Sequence, residues 1–163
     1  MISETTERKQ AYIEELGMAL ESLGMPRIAG RVLSALLVAD PPEQTAEQLA
    51  TTLQASRGAI SGGTTMLETM NLIERRRKPG DRKDYFRNKP DAWFEATRQQ
   101  VALIIQLRQL AEKGLQVMDE AEPEVTEGLQ DMHDMLTFYE HEMPKLLERW
   151  QASKGKVEVR SKE

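Results

Sequence analysis

Ile13, Leu16, Leu20 and Leu23 recur at spacings of three and four residues, which predicts an amphipathic helix ending near Gly24. Pro26 is placed to open the next helix, in which Ile28, Val32, Leu33, Leu36 and Leu37 form a broad apolar face, and Asp40-Pro41-Pro42 is expected to stop it. Thr45 followed three residues on by Gln48 reads as a capping box for a short helix that buries Ala46, Leu49, Ala50 and Leu53. Gln54-Ala55 reads as a tight turn. Ser56 then caps a second helix, buried along Ile60, Gly63, Leu67 and Met70.

After Asn71 the helical period stops. Leu72–Arg77 and Asp84–Arg87 read as two short strands joined through Lys78-Pro79-Gly80-Asp81, where Pro followed by Gly signals a turn. Helical spacing returns with Phe94, Val101, Ile104, Leu107, Ala111, Leu115 and Met118, a stripe widened by Leu103 and Leu110, and Pro123 should break this helix. The last helix carries Leu129, Met132, Leu136, Tyr139, Met143, Leu146 and Trp150 as a heptad seam, with Pro144 expected to kink or restart it. The pattern divides the chain into an N-terminal helix (1–24), a compact central domain (25–90), C-terminal helices (91–152) and a polar tail (153–163) expected to be disordered. The fold class predicted is mainly α, with N- and C-terminal dimerisation helices around a winged helix-turn-helix.

Composition narrows the chemistry. The chain has 163 residues, 39% of them hydrophobic and 30% charged, a balance that suits an elongated helical protein or an oligomer. It has no cysteine, which excludes disulfides, thiolate metal sites and cysteine nucleophiles. The polar Met1–Gln10 stretch predicts no signal peptide, and the longest apolar run, near Val32–Ala39, is too short to span a bilayer, so a cytoplasmic protein without membrane contact is expected. A net charge of −5 argues against nucleic acid until its distribution is considered. Asn71–Pro90 holds eight basic and three acidic residues, a net +5, whereas Ala111–Glu148 holds two basic and eleven acidic, a net −9. Such segregation means that one part meets a polyanion while another is kept away from it.

A short helix, a turn, a second helix and a basic hairpin, in that order, make a winged helix-turn-helix. A major groove admits one α-helix and displays distinguishable base edges, so the second helix must bury one side and offer polar side chains on the other. Arg57, Ser61, Thr64, Thr65 and Glu68 fall opposite Ile60, Leu67 and Met70. The DNA-contacting residues expected are therefore Ser56, Arg57, Ser61, Thr64 and Thr65, with Arg76, Arg77, Lys78, Arg82 and Lys83 from the wing on phosphates or in a minor groove. Gly62 and Gly63 cost roughly 1 kcal/mol each inside a helix, a cost that close backbone approach to a phosphate or a packed helix would offset. A basic run alone is an ordinary solvated surface; its place directly after the two-helix unit gives it meaning. The rival reading is a protein–protein module whose basic wing docks an acidic partner.

Met25-Pro26-Arg27-Ile28-Ala29-Gly30-Arg31-Val32, Glu47-Gln48-Leu49-Ala50, Ser56-Arg57-Gly58-Ala59-Ile60-Ser61 and the wing Pro79-Gly80-Asp81-Arg82-Lys83-Asp84-Tyr85 resemble the MarR-type winged-helix regulators, most of all their GbsR-like branch. The resemblance covers roughly Gly24–Trp93. It implies a homodimer on a pseudo-palindromic operator in double-stranded DNA, usually repressing and often released by a small molecule. It also implies that Asp81 orients Arg82 toward DNA.

The dimer expected from the seam uses Ile13, Leu16 and Leu20 of the first helix and Leu129, Met132, Leu136, Tyr139, Met143, Leu146 and Trp150 of the last, the alternative being a bundle closed within one chain. His133 and His141 lie among carboxylates, yet the Glu that a bundle metal motif places three residues before each His is absent: Gln130 and Phe138 stand there. Trp93, Tyr85, Tyr139 and Trp150 suit packing better than a cage for a cation. No phosphate-binding loop, nucleophile elbow or catalytic acid pair occurs, so neither an enzyme nor a cofactor is expected.

Overall fold

A computed structural model describes residues 4–118, 120 and 122–154; most of the predicted polar tail, from residue 155, lies outside them. The elements are α1 (Glu4–Ser22), α2 (Arg27–Leu37), β1 (Gln44–Thr45), α3 (Ala46–Leu53), α4 (Arg57–Thr69), β2 (Ile73–Arg77), β3 (Asp84–Asn88), α5 (Ala92–Val117) and α6 (Pro123–Ser153). They form two units, one up to Trp93 and one from Phe94 onward.

In the first unit α2 is the centre. Ala29, Gly30 and every residue from Val32 to Leu36 are buried, and α1, α3 and α4 pack around this helix. Leu33, Leu36, Leu49, Leu53, Ile60 and Leu67 are the fully enclosed large side chains of this core, each contributing roughly 1.5–3 kcal/mol over an exposed position. Ser34 is tolerated among them because its hydroxyl donates to the Gly30 carbonyl at 2.8 Å. α1 crosses α2 closely at Gly30, where an added Cβ would stand 3.1 Å from the Gly17 carbonyl oxygen. Beside the crossing, Arg31 forks onto Glu14 (Nη2–Oε1 2.6 Å, Nε–Oε2 3.1 Å) and donates to the Leu53 carbonyl at 3.0 Å, tying α1, α2 and the end of α3 together.

The structure revises several expectations here. Ile13 and Leu20, assigned to a dimer interface, are 3% and 8% exposed within a single chain, because α1 spends that face on α2. Leu16 keeps a half-exposed position, and Leu23, 84% exposed, lies past the helix end where Gly24 turns left-handed at φ +90°. Ala46 is exposed rather than buried, and α2 ends before Asp40-Pro41. The connector then supplies β1, a strand the pattern of apolar residues did not signal. The sheet order is β1-β3-β2, antiparallel throughout, with Gln44 opposite Phe86 and Arg75 also opposite Phe86.

In the second unit α5 and α6 form an antiparallel hairpin: Arg108 pairs with Glu140, and further along in the opposite sense Gly114 meets Leu129, whose methyl would stand 2.6 Å from an added Cβ. Leu129 and Glu140 are three turns apart on one face of α6, and Leu136 and Met143 share it and are half-buried. The predicted seam is thus divided. Leu129, beside Gly114 of α5, and Leu136 and Met143 on the same side of α6 are half-buried, while Met132, Tyr139, Leu146 and Trp150 are exposed, joined by Met135 and by Phe138 at 60%. Pro123 begins α6 rather than merely ending α5, and α6 continues through Pro144 without the expected restart. Among the described residues no helix is long and apolar enough to cross a membrane.

The crossing at Gly30 makes a prediction. Gly30→Val should destabilise the fold by roughly 1–3 kcal/mol, since backbone rather than a flexible side chain stands in the way. Gly62→Ala, with nothing within 4 Å of the new methyl, should stabilise it by up to about 1 kcal/mol. Urea unfolding of both variants at one protein concentration checks the opposite signs.

Candidate nucleic-acid interface

The two-helix unit is set by its caps. The Thr45 hydroxyl accepts from the Gln48 amide N–H at 3.2 Å and the Gln48 side chain accepts from the Thr45 N–H at 2.8 Å, the reciprocal pair expected of a capping box. α3 ends in Gln54, left-handed at φ 49°, with the Ala55 N–H returning to the Ala50 carbonyl at 3.0 Å. Ser56 then starts α4, its Oγ accepting from the Ala59 N–H at 3.1 Å. That oxygen serves the helix first, which makes Ser56 a cap beside any DNA contact.

α4 is strongly two-sided. Ile60, Gly63, Thr64 and Leu67 are buried. Gly63 is where α4 rests on α2: an added Cβ would meet Val32 Cγ2 at 3.4 Å and Ile28 at 3.5 Å. Arg57, Gly58, Ser61, Gly62 and Thr65 face solvent, and Gly62 has open space before it. Thr64 corrects the expected base-reading set. It is 2% exposed, and its hydroxyl donates to the Ile60 carbonyl at 2.9 Å, so it cannot reach a base edge. The signal was available: Thr64 follows Ile60 by four residues and precedes Leu67 by three, on the apolar face.

The wing is β2, β3 and the turn between them. The Asp81 N–H donates to the Lys78 carbonyl at 3.0 Å with Gly80 at φ +80°, the geometry a type II turn gives its third residue and one that favours glycine. Asp81 braces the start of the returning strand, one oxygen accepting from the Lys83 N–H at 2.9 Å and the other from the Tyr85 hydroxyl at 2.7 Å. These bonds hold the Asp81 carboxyl below its ordinary value and raise the Tyr85 phenol. Asp81 therefore orients the turn that carries Arg82, rather than the guanidinium itself. The Lys78 ammonium lies 4.1 Å from the Tyr85 ring centroid and 3.1 Å from Glu43, so the cation over this aromatic is the chain's own.

Most wing cations already have partners. Arg76 and Arg87 share Glu74, at 3.0 and 2.6 Å, and Arg87 is the chief reason its carboxyl is depressed. Arg77 holds Asp84 at 2.9 Å and depresses it likewise. Lys83 reaches Glu47 only at 3.9 Å, a weak contact. Arg82, at the tip, and Arg57, on α4, pair with no carboxylate among the described residues. Between α4, the start of α3 and the wing runs a groove of about 400 Å³, lined by Arg57 and Ser61 of α4 and by Arg75, Lys83, Asp84 and Phe86 of the wing. The pairing of Arg75 with Glu68 and the sharing of Glu74 by Arg76 and Arg87 were not foreseen, since cross-strand and strand-to-helix pairings have no short-range sequence signature. In α6, His133 contacts Asp134 at 3.2 Å, and no group of three metal-ligating side chains occurs among the described residues.

Comparison with known proteins agrees with this geometry. Residues 23–84 match the pattern of the MarR family, and residues 91–153 match that of MmpR5-like MarR family transcriptional regulators. The HTH-type transcriptional regulator MmpR5 of Mycobacterium tuberculosis is 38% identical over 144 residues, covering 88% of this chain and 87% of its own length. A crystal structure of a transcriptional regulator superposes with a TM-score of 0.77 at 36% identity, covering 89% of this chain and 99% of that one. These matches bear out the expected family; they do not extend to the GbsR-like branch. The relatives regulate transcription rather than catalyse reactions, and on their likeness, from α2 through α6, the chain belongs to the MarR family of winged-helix transcriptional regulators.

Proposed function

We propose that the chain binds a pseudo-palindromic operator as a homodimer, with α4 in the major groove and the wing on adjoining phosphates. Regulators of this family bind DNA and act as dimers. The observation that carries the reading is the two-sided α4, sealed on the scaffold along Ile60, Gly63, Thr64 and Leu67 and open along Arg57, Ser61, Gly62 and Thr65. In this reading Arg57, Ser61 and Thr65 meet base edges, Ser56 sets the helix start, and Arg76, Arg77, Lys78 and Lys83 exchange their carboxylates for phosphates. Arg82 is the residue best suited to enter a minor groove.

Residues 25–90 bind DNA, and residues 1–24 with 91–152 hold the dimer. The exposed apolar residues Met132, Tyr139, Leu146 and Trp150 of α6 support a second copy as the occupant of that face, because a two-fold operator is read by a two-fold protein. Leu16 remains available on α1. The regulatory sense, repression relieved by a small molecule, comes from the family resemblance alone. Selection of duplexes from a random pool, followed by titration against a scrambled duplex, tests the function. A protein that selects no sequence over the scrambled one is not an operator-binding regulator, and docking of an acidic partner becomes the better account.

Two further outcomes are expected. Arg82→Ala should weaken binding to selected and scrambled duplexes alike and reduce the slope of log affinity against log salt by about 1. An unchanged slope and affinity would take the wing tip out of the interface. Tyr139→Glu leaves the half-buried side of α6 intact but sets a charge in the proposed interface. Analytical ultracentrifugation should show a folded monomer, and operator affinity should fall by about 100-fold because two half-site contacts are no longer linked. A dimer of parental affinity would move the interface elsewhere.

A further inference from the structure

We infer that Arg75 is a positioning residue: it does not contact DNA but locks the wing against the recognition helix through Glu68. The inference rests on the DNA-binding reading above and names a determinant of specificity outside the residues that meet DNA. All three guanidinium nitrogens of Arg75 are engaged. Nε donates to Glu68 Oε1 at 3.1 Å and Nη2 to Glu68 Oε2 at 2.8 Å, two parallel bonds of a planar fork on a carboxylate, and Nη1 donates to Asp84 Oδ2 at 3.3 Å. The guanidinium carbon lies 5.2 Å from the centroid of Phe86, a buried ring directly opposite Arg75 in the strand register. One side chain thus joins α4, β2 and β3.

The other wing arginines differ. Arg77 uses one nitrogen and its side chain is 77% exposed, Arg76 likewise uses one, and Arg82 uses none on a carboxylate among the described residues. Arg75 lines the same groove as Arg57 and Lys83, but its guanidinium is taken up by two carboxylates, whereas Arg57 pairs with none among the described residues. Its charge is already compensated by Glu68 and Asp84, so it has little left to offer a phosphate.

A duplex must be met by α4 and by the wing at once, and the distance between major groove and neighbouring backbone is set by the DNA. A wing free to rock on its turn would meet phosphates in many poses, which preserves nonspecific binding and loses register on the preferred sequence. The fork and the stacked ring restrict that rocking. Lysine cannot substitute, because an ammonium supplies charge without the planar pair of donors.

The roles separate by sign. If Glu68 were only an acid beside DNA, its removal would tighten binding by relieving repulsion of phosphate. As the anchor of Arg75, its removal should weaken specific binding instead. The test uses the full chain, a duplex selected by the parent protein from a random pool, and a scrambled duplex of equal length, titrated across a series of salt concentrations. Arg75→Gln and Glu68→Gln should each weaken binding to the selected duplex about tenfold, with the double variant no worse than either single one. Affinity for the scrambled duplex and the salt slope should stay at parental values, and Arg75→Lys should not restore the loss. Because the Glu68 change removes no positive charge and no core residue, it reads out the proposal even if an Arg75 variant folds poorly. A salt slope lowered by about 1 in Arg75→Gln, or tighter binding by Glu68→Gln, would overturn the inference and make Arg75 a phosphate contact. Failure of the parent protein to prefer any duplex would instead overturn the DNA-binding reading itself.

Discussion

A helix that is apolar around most of its circumference has to be enclosed, and α2 imposes that requirement on everything near it. Five successive buried residues, Val32 to Leu36, leave α2 no solvent side along that stretch, so α1, α3 and α4 take their places by covering it. Glycines set the closest approaches, Gly30 of α2 against α1 and Gly63 of α4 against α2. Once α4 is committed along Ile60, Gly63 and Leu67, its opposite side is exposed by geometry, and the short polar residues there face water. The open face of α4 is in this sense a consequence of how α2 is buried.

The wing shows a second constraint, the placement of charge. A run of eight basic residues would repel itself and bind any polyanion, and here carboxylates are threaded through it. Glu74 serves one face of the ribbon and Asp84 the other, each shared by two arginines, while Glu43 takes Lys78. Such exposed pairs add little to stability, on the order of 0–1 kcal/mol each. Their effect is on direction. They hold long side chains in place, whereas Arg57 and Arg82 pair with no carboxylate among the described residues.

The second unit obeys a different logic. In α6 the apolar positions exceed what one neighbouring helix can cover, and the structure divides them between a half-buried set, Leu129, Leu136 and Met143, and an exposed set, Met132, Tyr139, Leu146 and Trp150. Arg108, held by Glu112 and Glu140, fixes the hairpin from its polar edge. Sixteen exposed large hydrophobic side chains among the described residues of both units are more than scattered surface positions need, and the exposed α6 positions form a face one helix long.

The order of helices, the capping box at Thr45, the cap at Ser56 and the turn at Gly80 were all legible in the sequence, because each depends on residues within four positions of one another, and the positive hairpin was legible because it flanks that turn. So was the family, from the motifs between Met25 and Tyr85. What the sequence left open depends on contacts between elements. Periodicity marks a position as apolar without saying which neighbour covers it, so Ile13, Leu20 and Leu136 read equally well as interface or as packing within the chain. Thr64 is ambiguous because a threonine is both polar enough for a surface and small enough for a core, and only the seat of α4 on α2 decides between them. β1 is two residues long and exists because β3 lies beside it, and the Arg75–Glu68 fork joins a strand residue to a helix residue, a pairing that the period of neither element relates. Local hydrogen bonding and spacing determined the elements; long-range packing alone decided which face each of them shows to water.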